Sequence, residues 1–222
     1  MFFKSRKGQF FPLSDTAPRR KFPLVTITLI TLNVFVFILS LQDFEFFILS
    51  FGFIPAHPSL LTLFTSMFLH GGFDHIFGNM WYLWIFGDNI EDRFGRLKFL
   101  ILYFFSGIVA SFFHLLTNIG SEIPAIGASG AVSGILGSYF LIFPKEMILT
   151  RFGYSFIHIP AYIVIGFWFV LQFVFATISF FGFSGSNVAF WAHVGGFVFG
   201  IVFTLGLKPK KLKFYREILK SI

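Results

Sequence analysis

The sequence predicts an all-α fold: a polytopic membrane protein whose six transmembrane helices form one bundle, with a long loop after the first. Three observations carry this. Hydrophobic residues make up 56% of the 222 and charged residues only 12%, about half the charged share of a soluble domain. The charges fall in clusters that separate uncharged apolar runs, which together supply about six crossings at roughly 20 residues each. All 17 lysines and arginines lie in alternate inter-span segments. The 39 phenylalanines exclude a disordered chain. The absence of cysteine excludes a disulfide framework, a thiol nucleophile and thiolate-ligated zinc.

The first span is the uncharged run 22–42, between Lys21 and Asp43. No small-residue cleavage site follows, so it reads as retained rather than as a signal peptide. The second starts at His75 and fades at 88–93, the third covers 99–118, and the fourth runs from Ser129 to Pro144 and Lys145. Residues 152–207 carry no Asp, Glu, Lys or Arg and hold two more spans, with a Gly/Ser-rich turn at 182–187 between them. Six basic residues precede span one, three join spans two and three, two join spans four and five, and six follow span six. The positive-inside rule therefore puts both termini in the cytoplasm. This also accounts for the net charge of +7 better than nucleic-acid binding does. The chain divides into a basic cytoplasmic N-terminus (1–21), a six-helix membrane domain (22–207) and a basic tail (208–222). In the tail, Leu212, Tyr215, Ile218, Leu219 and Ile222 share one helical face, suited to the anionic inner leaflet. The outer loop 43–74 is long and apolar, which marks it as ordered.

Polar side chains inside apolar spans are costly, and each is a functional lead. Three clusters stand out. His75 and Asn79, four residues apart, share one face at the outer end of span two. Gly127, Ser129 and Gly130 open span four, and His193 lies near the outer end of span six. Spans two, four and six all run from outside to inside, so topology alone puts these residues at similar depth. Span four is also short. From Ser129 to Phe143 it extends about 22 Å, against a hydrocarbon core of about 30 Å. Ser129 then lies below the outer surface, and residues 120–128 dip into the membrane as irregular backbone. That is tolerated only inside protein or beside a wet cavity.

The chemistry fits acyl transfer. A serine hydroxyl needs a neutral imidazole within hydrogen-bond reach, which Ser129 and His193 supply. Span six carries no carboxylate, so the expectation is a dyad rather than a triad. Asn79, a ring N–H of His75 and the backbone N–H of Ser129 are candidate oxyanion donors. Gly127 and Gly130 allow close backbone approach. Gly130/Gly134 and Gly196/Gly200 also match small-xxx-small helix packing, and Ser133 and Ser138 belong with that packing. His70, Asp74 and His75 make no metal-binding His-Glu-x-x-His helix, and no metal or other cofactor is expected.

Taken together, His70-Gly-Gly with His75-xxx-Asn79, Glu91-Asp-Arg93-Phe-Gly95, Gly127-x-Ser129-Gly130 and Ala192-His193-xx-Gly196-xxx-Gly200 resemble the rhomboid family of intramembrane serine proteases. The resemblance implies a rhomboid-type bundle with a membrane-embedded first loop. It implies Ser129 as nucleophile, His193 as general base, and His75 and Asn79 at the oxyanion. It makes Glu91 and Arg93 structural braces, gives Gly196 and Gly200 the close packing of span six on span four, and makes span five the lateral gate. The partners are the lipid bilayer and transmembrane protein substrates with small residues at the cut and helix-destabilising residues nearby. The expected location is a bacterial cytoplasmic membrane, with the site open to the outer face. Two departures stand out. Leu61-Thr62 occupies the place of a common Trp-Arg pair in the first loop. Ser133 stands where some members carry a tyrosine that packs on the histidine, so His193 must be held by another group. The alternatives are a non-catalytic rhomboid-like protein that binds client spans, which would lack the Ser or the His, and a proton-linked transporter using His75 and His193, which would need an ionisable path that spans four and six do not offer.

Overall fold

The computed structural model describes residues 10–182 and 188–207. Most of the expected turn at 182–187 and the whole amphipathic tail 208–222 lie outside the described residues. Among the described residues, six long helices make the bundle: α1 (Leu24–Ser40), α4 (Phe73–Phe94), α5 (Arg96–Thr117), α6 (Ser129–Ile142), α7 (Ala161–Phe180) and α8 (Phe190–Gly206). The segment after α1 folds into α2 (Phe44–Phe51), α3 (Leu60–Thr65) and a 3-10 turn (Ser66–Phe68). Asp43 caps α2 by accepting from the Phe46 N–H, and Ser59 caps α3 from the Leu61 N–H.

Helix α6 is the centre of the bundle, with every residue buried except Ser129 and Phe140. It packs against both α5 and α8, which also pack on each other. A Cβ on Gly196 would strike the Gly130 carbonyl oxygen, and one on Gly200 the Gly134 carbonyl oxygen. This is small-residue packing as the pattern implied. The outer surface is apolar: Phe35 and Ile38 on α1, Phe105 and Phe112 on α5, and Phe167 and Phe173 on α7 are all exposed. An exposed apolar belt of this extent marks a surface meant for lipid rather than water. Helices α5 and α7 are long and apolar enough to cross a membrane, while α1, α6 and α8 are shorter apolar helices.

The all-α expectation needs a correction. A three-stranded antiparallel sheet, β1 (Phe10–Asp15), β2 (Met147–Phe152) and β3 (Ser155–Pro160), joins the N-terminal segment to the α6–α7 connection in the order β1-β2-β3. Residues 155–160 were expected to begin span five. They read as span because they are uncharged, but Phe156, Ile157 and Ile159 are equally good strand formers. The two-residue Gly153-Tyr154 turn, with Gly153 at φ +61°, closes them onto β2. Pro12 sits in an edge strand, where its missing N–H costs nothing.

Residues 10–21, expected as a basic flank, are built into the bundle along α4. Phe11 stacks on Phe77 and Trp81, with ring centroids 6.3 and 5.6 Å away. The Trp81 indole donates to the Pro12 carbonyl at 2.8 Å, and Asn89 donates to Ala17 at 3.0 Å. Arg19 pairs with Asp88 at 2.9 Å, and Tyr139 of α6 donates to Asp15 at 2.6 Å. Burial pushes the Asp15 carboxyl up to about 6, against a smaller lowering by the Tyr139 hydrogen bond.

Candidate active site

Ser129 is the first residue of α6, where backbone N–H groups have no intrahelical partner. The chain reaches it through Gly127, whose φ of +121° suits glycine, and whose N–H donates to the Ser66 carbonyl at 2.9 Å. The irregular segment before Ser129 is thus tied to the first loop. A second tie is the Phe53–Ala125 bridge, which has reciprocal backbone hydrogen bonds of 3.0 and 2.8 Å.

His193 lies in the first turn of α8, and its Nε2 is 2.8 Å from the Ser129 Oγ. Glycine packing of α8 on α6 brings together these two residues, 64 positions apart in sequence. The other ring nitrogen, Nδ1, is 2.7 Å from the Gln172 Oε1 on α7. Trp168, one turn earlier on α7, lies beside the imidazole with centroids 6.2 Å apart, and Phe190 meets it edge-on at 6.4 Å. These groups fill the role that the tyrosine at position 133 would have had. Ser133 instead donates to the Ser129 carbonyl within α6 at 2.6 Å.

His75 and Asn79 rise from the first two turns of α4. The Gly71 N–H donates to the His75 Nδ1 at 3.2 Å. An accepting Nδ1 leaves the ring proton on Nε2. That Nε2 faces Gly127: a Cβ there would come within 2.7 Å of it and within 3.8 Å of the Asn79 Nδ2. Two side-chain donors therefore converge beside the backbone that leads into Ser129. Asn79 also donates to the His75 carbonyl at 3.1 Å. Behind them, buried His70 accepts from the Ala128 N–H at 3.5 Å. A small open cavity of about 40 Å³ borders Ser129 and is lined mostly by small side chains, among them Ala110, Gly130, Ala189 and Ala192, with His114 at its wall.

Ser129, His193, His75, Asn79 and Gly127 thus meet in one place, and Gly130, Gly196 and Gly200 lie in the helix contact beneath. Glu91 and Arg93 are at the far end of α4. Buried Glu91 accepts from the N–H groups of Val25 and Thr26 at 3.0 and 2.8 Å and from the Thr26 hydroxyl at 2.8 Å, capping α1. Arg93 stands in the last turn of α4, where a cation meets helix carbonyls. Sequence reasoning missed Gln172. The signal was present, since it is the only side-chain amide in α7.

A family model described as the Rhomboid domain matches residues 57–210. The Rhomboid protease GluP of Bacillus subtilis is 32% identical over 164 residues, covering 72% of this chain and 29% of that protein. The putative rhomboid protease YdcA of the same organism is 27% identical over 161 residues, covering 69% of this chain and 70% of that protein. The inactive RHOMBOID-like protein 8 of Arabidopsis thaliana is 32% identical over 98 residues, covering 44% of this chain and 27% of that protein. The chain spans under a third of the length of GluP and of RHOMBOID-like protein 8.

Proposed function

The chain belongs to the rhomboid family of integral membrane proteins, and on that premise we propose that it is an intramembrane serine endopeptidase working through a Ser129–His193 dyad. The observation that carries the proposal is the 2.8 Å contact between the Ser129 Oγ and the His193 Nε2 at the edge of a cavity. As His193 Nε2 takes the hydroxyl proton, the Ser129 Oγ attacks the scissile carbonyl carbon. The oxyanion forms beside Gly127, facing the His75 Nε2–H, the Asn79 amide and the Ser129 N–H. His193 then gives its proton to the leaving amine, and water, activated by the same imidazole, releases the acyl group.

The bundle takes six spans, with both termini cytoplasmic, the α2–α3 segment embedded in the outer leaflet and the site open to the outer face. The sheet supports this orientation, because it joins the N-terminal segment to the α6–α7 connection, two segments the charge pattern assigns to one side. A bacterial cytoplasmic membrane is the proposed location. Substrates are transmembrane segments that unwind locally, since an intact helix hides its carbonyls, and the small side chains around the cavity suit a small residue at the cut.

The test is labelling of detergent-purified protein by a fluorophosphonate. Wild type is expected to label, while Ser129→Ala and His193→Ala stay dark with wild-type thermal unfolding. Unlabelled, well-folded wild type would instead favour client binding without cleavage.

A further inference from the structure

We propose that Gln172 is a positioning residue for His193, fixing which ring nitrogen carries the proton and thereby tying the dyad to the seating of α7. The proposal rests on the dyad reading above and adds a third member to it. The Gln172 Oε1 is 2.7 Å from the His193 Nδ1, on the side of the ring opposite the Ser129 contact. For Nε2 to accept the serine proton, Nδ1 must hold the ring hydrogen and donate it. An amide oxygen can only accept, so this orientation of Gln172 enforces the productive tautomer. A carboxylate does this in a triad. Here a neutral amide does it, which avoids burying a charge in an apolar helix.

The second consequence follows from where Gln172 stands. Only Ala161, Val164, Ile165 and Ala176 of α7 are buried, whereas α6 is buried nearly throughout. The group that orients the base is therefore carried by a lightly anchored helix. Trp168 is on the same helix face, so any outward shift of α7 withdraws both supports from the imidazole together. The titratable group from α4 that faces His193 is His75, and His114 of α5 stands across the cavity. Ser129, Gln172, Trp168 and Phe190 carry no charge.

The experiment measures the fluorophosphonate labelling rate of the full-length protein against pH for wild type, Gln172→Met and Gln172→Glu, with thermal unfolding in the same detergent. Gln172→Met keeps the volume and removes the acceptor, and labelling should slow about tenfold or more. Gln172→Glu restores an acceptor and should recover the rate at high pH. Its carboxylate favours the imidazolium, so the acidic limb of its profile should move up by about one pH unit. Packing alone would not produce that shift. A wild-type rate in folded Gln172→Met, or an unmoved limb in Gln172→Glu, would overturn the proposal. Should Gln172→Met not fold, the limb of Gln172→Glu decides alone. Unlabelled wild type would remove the serine-protease reading itself, whereas labelled wild type with indifferent Gln172 variants removes only this inference.

Discussion

Replacing Glu91 tests how far the bundle depends on one buried carboxylate. Glu91 is 3% exposed and accepts three hydrogen bonds from the N-terminus of α1. Two of the donors are backbone N–H groups that the helix cannot satisfy internally, and the positive end of the helix dipole faces the carboxylate. In Glu91→Ala, three buried donors lose their acceptor together. Each buried donor left unpaired costs about 1–3 kcal/mol, and with water reaching part of the helix end the three together cost about 3–5 kcal/mol. For a chain of this size that lowers the unfolding temperature by about 6–20 °C. Glu91→Gln keeps the shape and one accepting oxygen, and should cost about 1–3 kcal/mol. Thermal unfolding in detergent reads both. Fluorophosphonate labelling well below the transition should stay near wild type, because Glu91 is twelve residues along α4 from Asn79, about 18 Å. An Ala variant that unfolds with wild type would refute the capping argument, and so would a Gln variant as unstable as the Ala variant.

Gly200→Ala and Gly196→Ala drive a Cβ into the carbonyl oxygens of Gly134 and Gly130, which are backbone and cannot rotate away. Each should cost about 1–3 kcal/mol and slow labelling of Ser129, since α8 carries His193. Gly206→Ala, where nothing lies within 4 Å, is the matched control and should leave both unfolding temperature and labelling unchanged. Asp15 titrates near 6 in the fold because burial disfavours its charge. A raised native pKa stabilises the fold fully below the unfolded value of about 3.9, and the stabilisation is lost as pH rises through about 6. Asp15→Asn should therefore unfold above wild type at pH 7.5 and level with it near pH 4, and a gap independent of pH would dismiss this account of β1.

Much of the candidate site was legible because its residues break the rules of their surroundings. A histidine in an apolar span, a serine at the top of a helix too short for the bilayer, and glycines at four-residue spacing are each improbable unless something holds them. Charge placement delimited the spans well enough that α1 and α4–α6 fall where the apolar runs do. The sheet was hidden because β3 carries no charge to part it from the span that follows, while β1 and β2 fall in charged segments that read as flanks and loops. Pairing of β1 with β2 joins residues more than 130 positions apart, as in Asp15 with Ile148, and no local pattern encodes such a contact.

Gln172 lies between these cases. Its polarity was visible, but its partner depends on how α7 is rotated and how far down α8 the imidazole sits. Composition and charge pattern by themselves determined the bundle and its polar residues, because the bilayer penalises each misplaced charge locally, one residue at a time. Only the tertiary structure decided which nitrogen of His193 faces Ser129, what stands behind the ring in place of a tyrosine, and that the N-terminal strand lies along α4. Those outcomes depend on distances of a few ångströms between helices, and these are fixed by glycine contacts and side-chain packing across the whole chain.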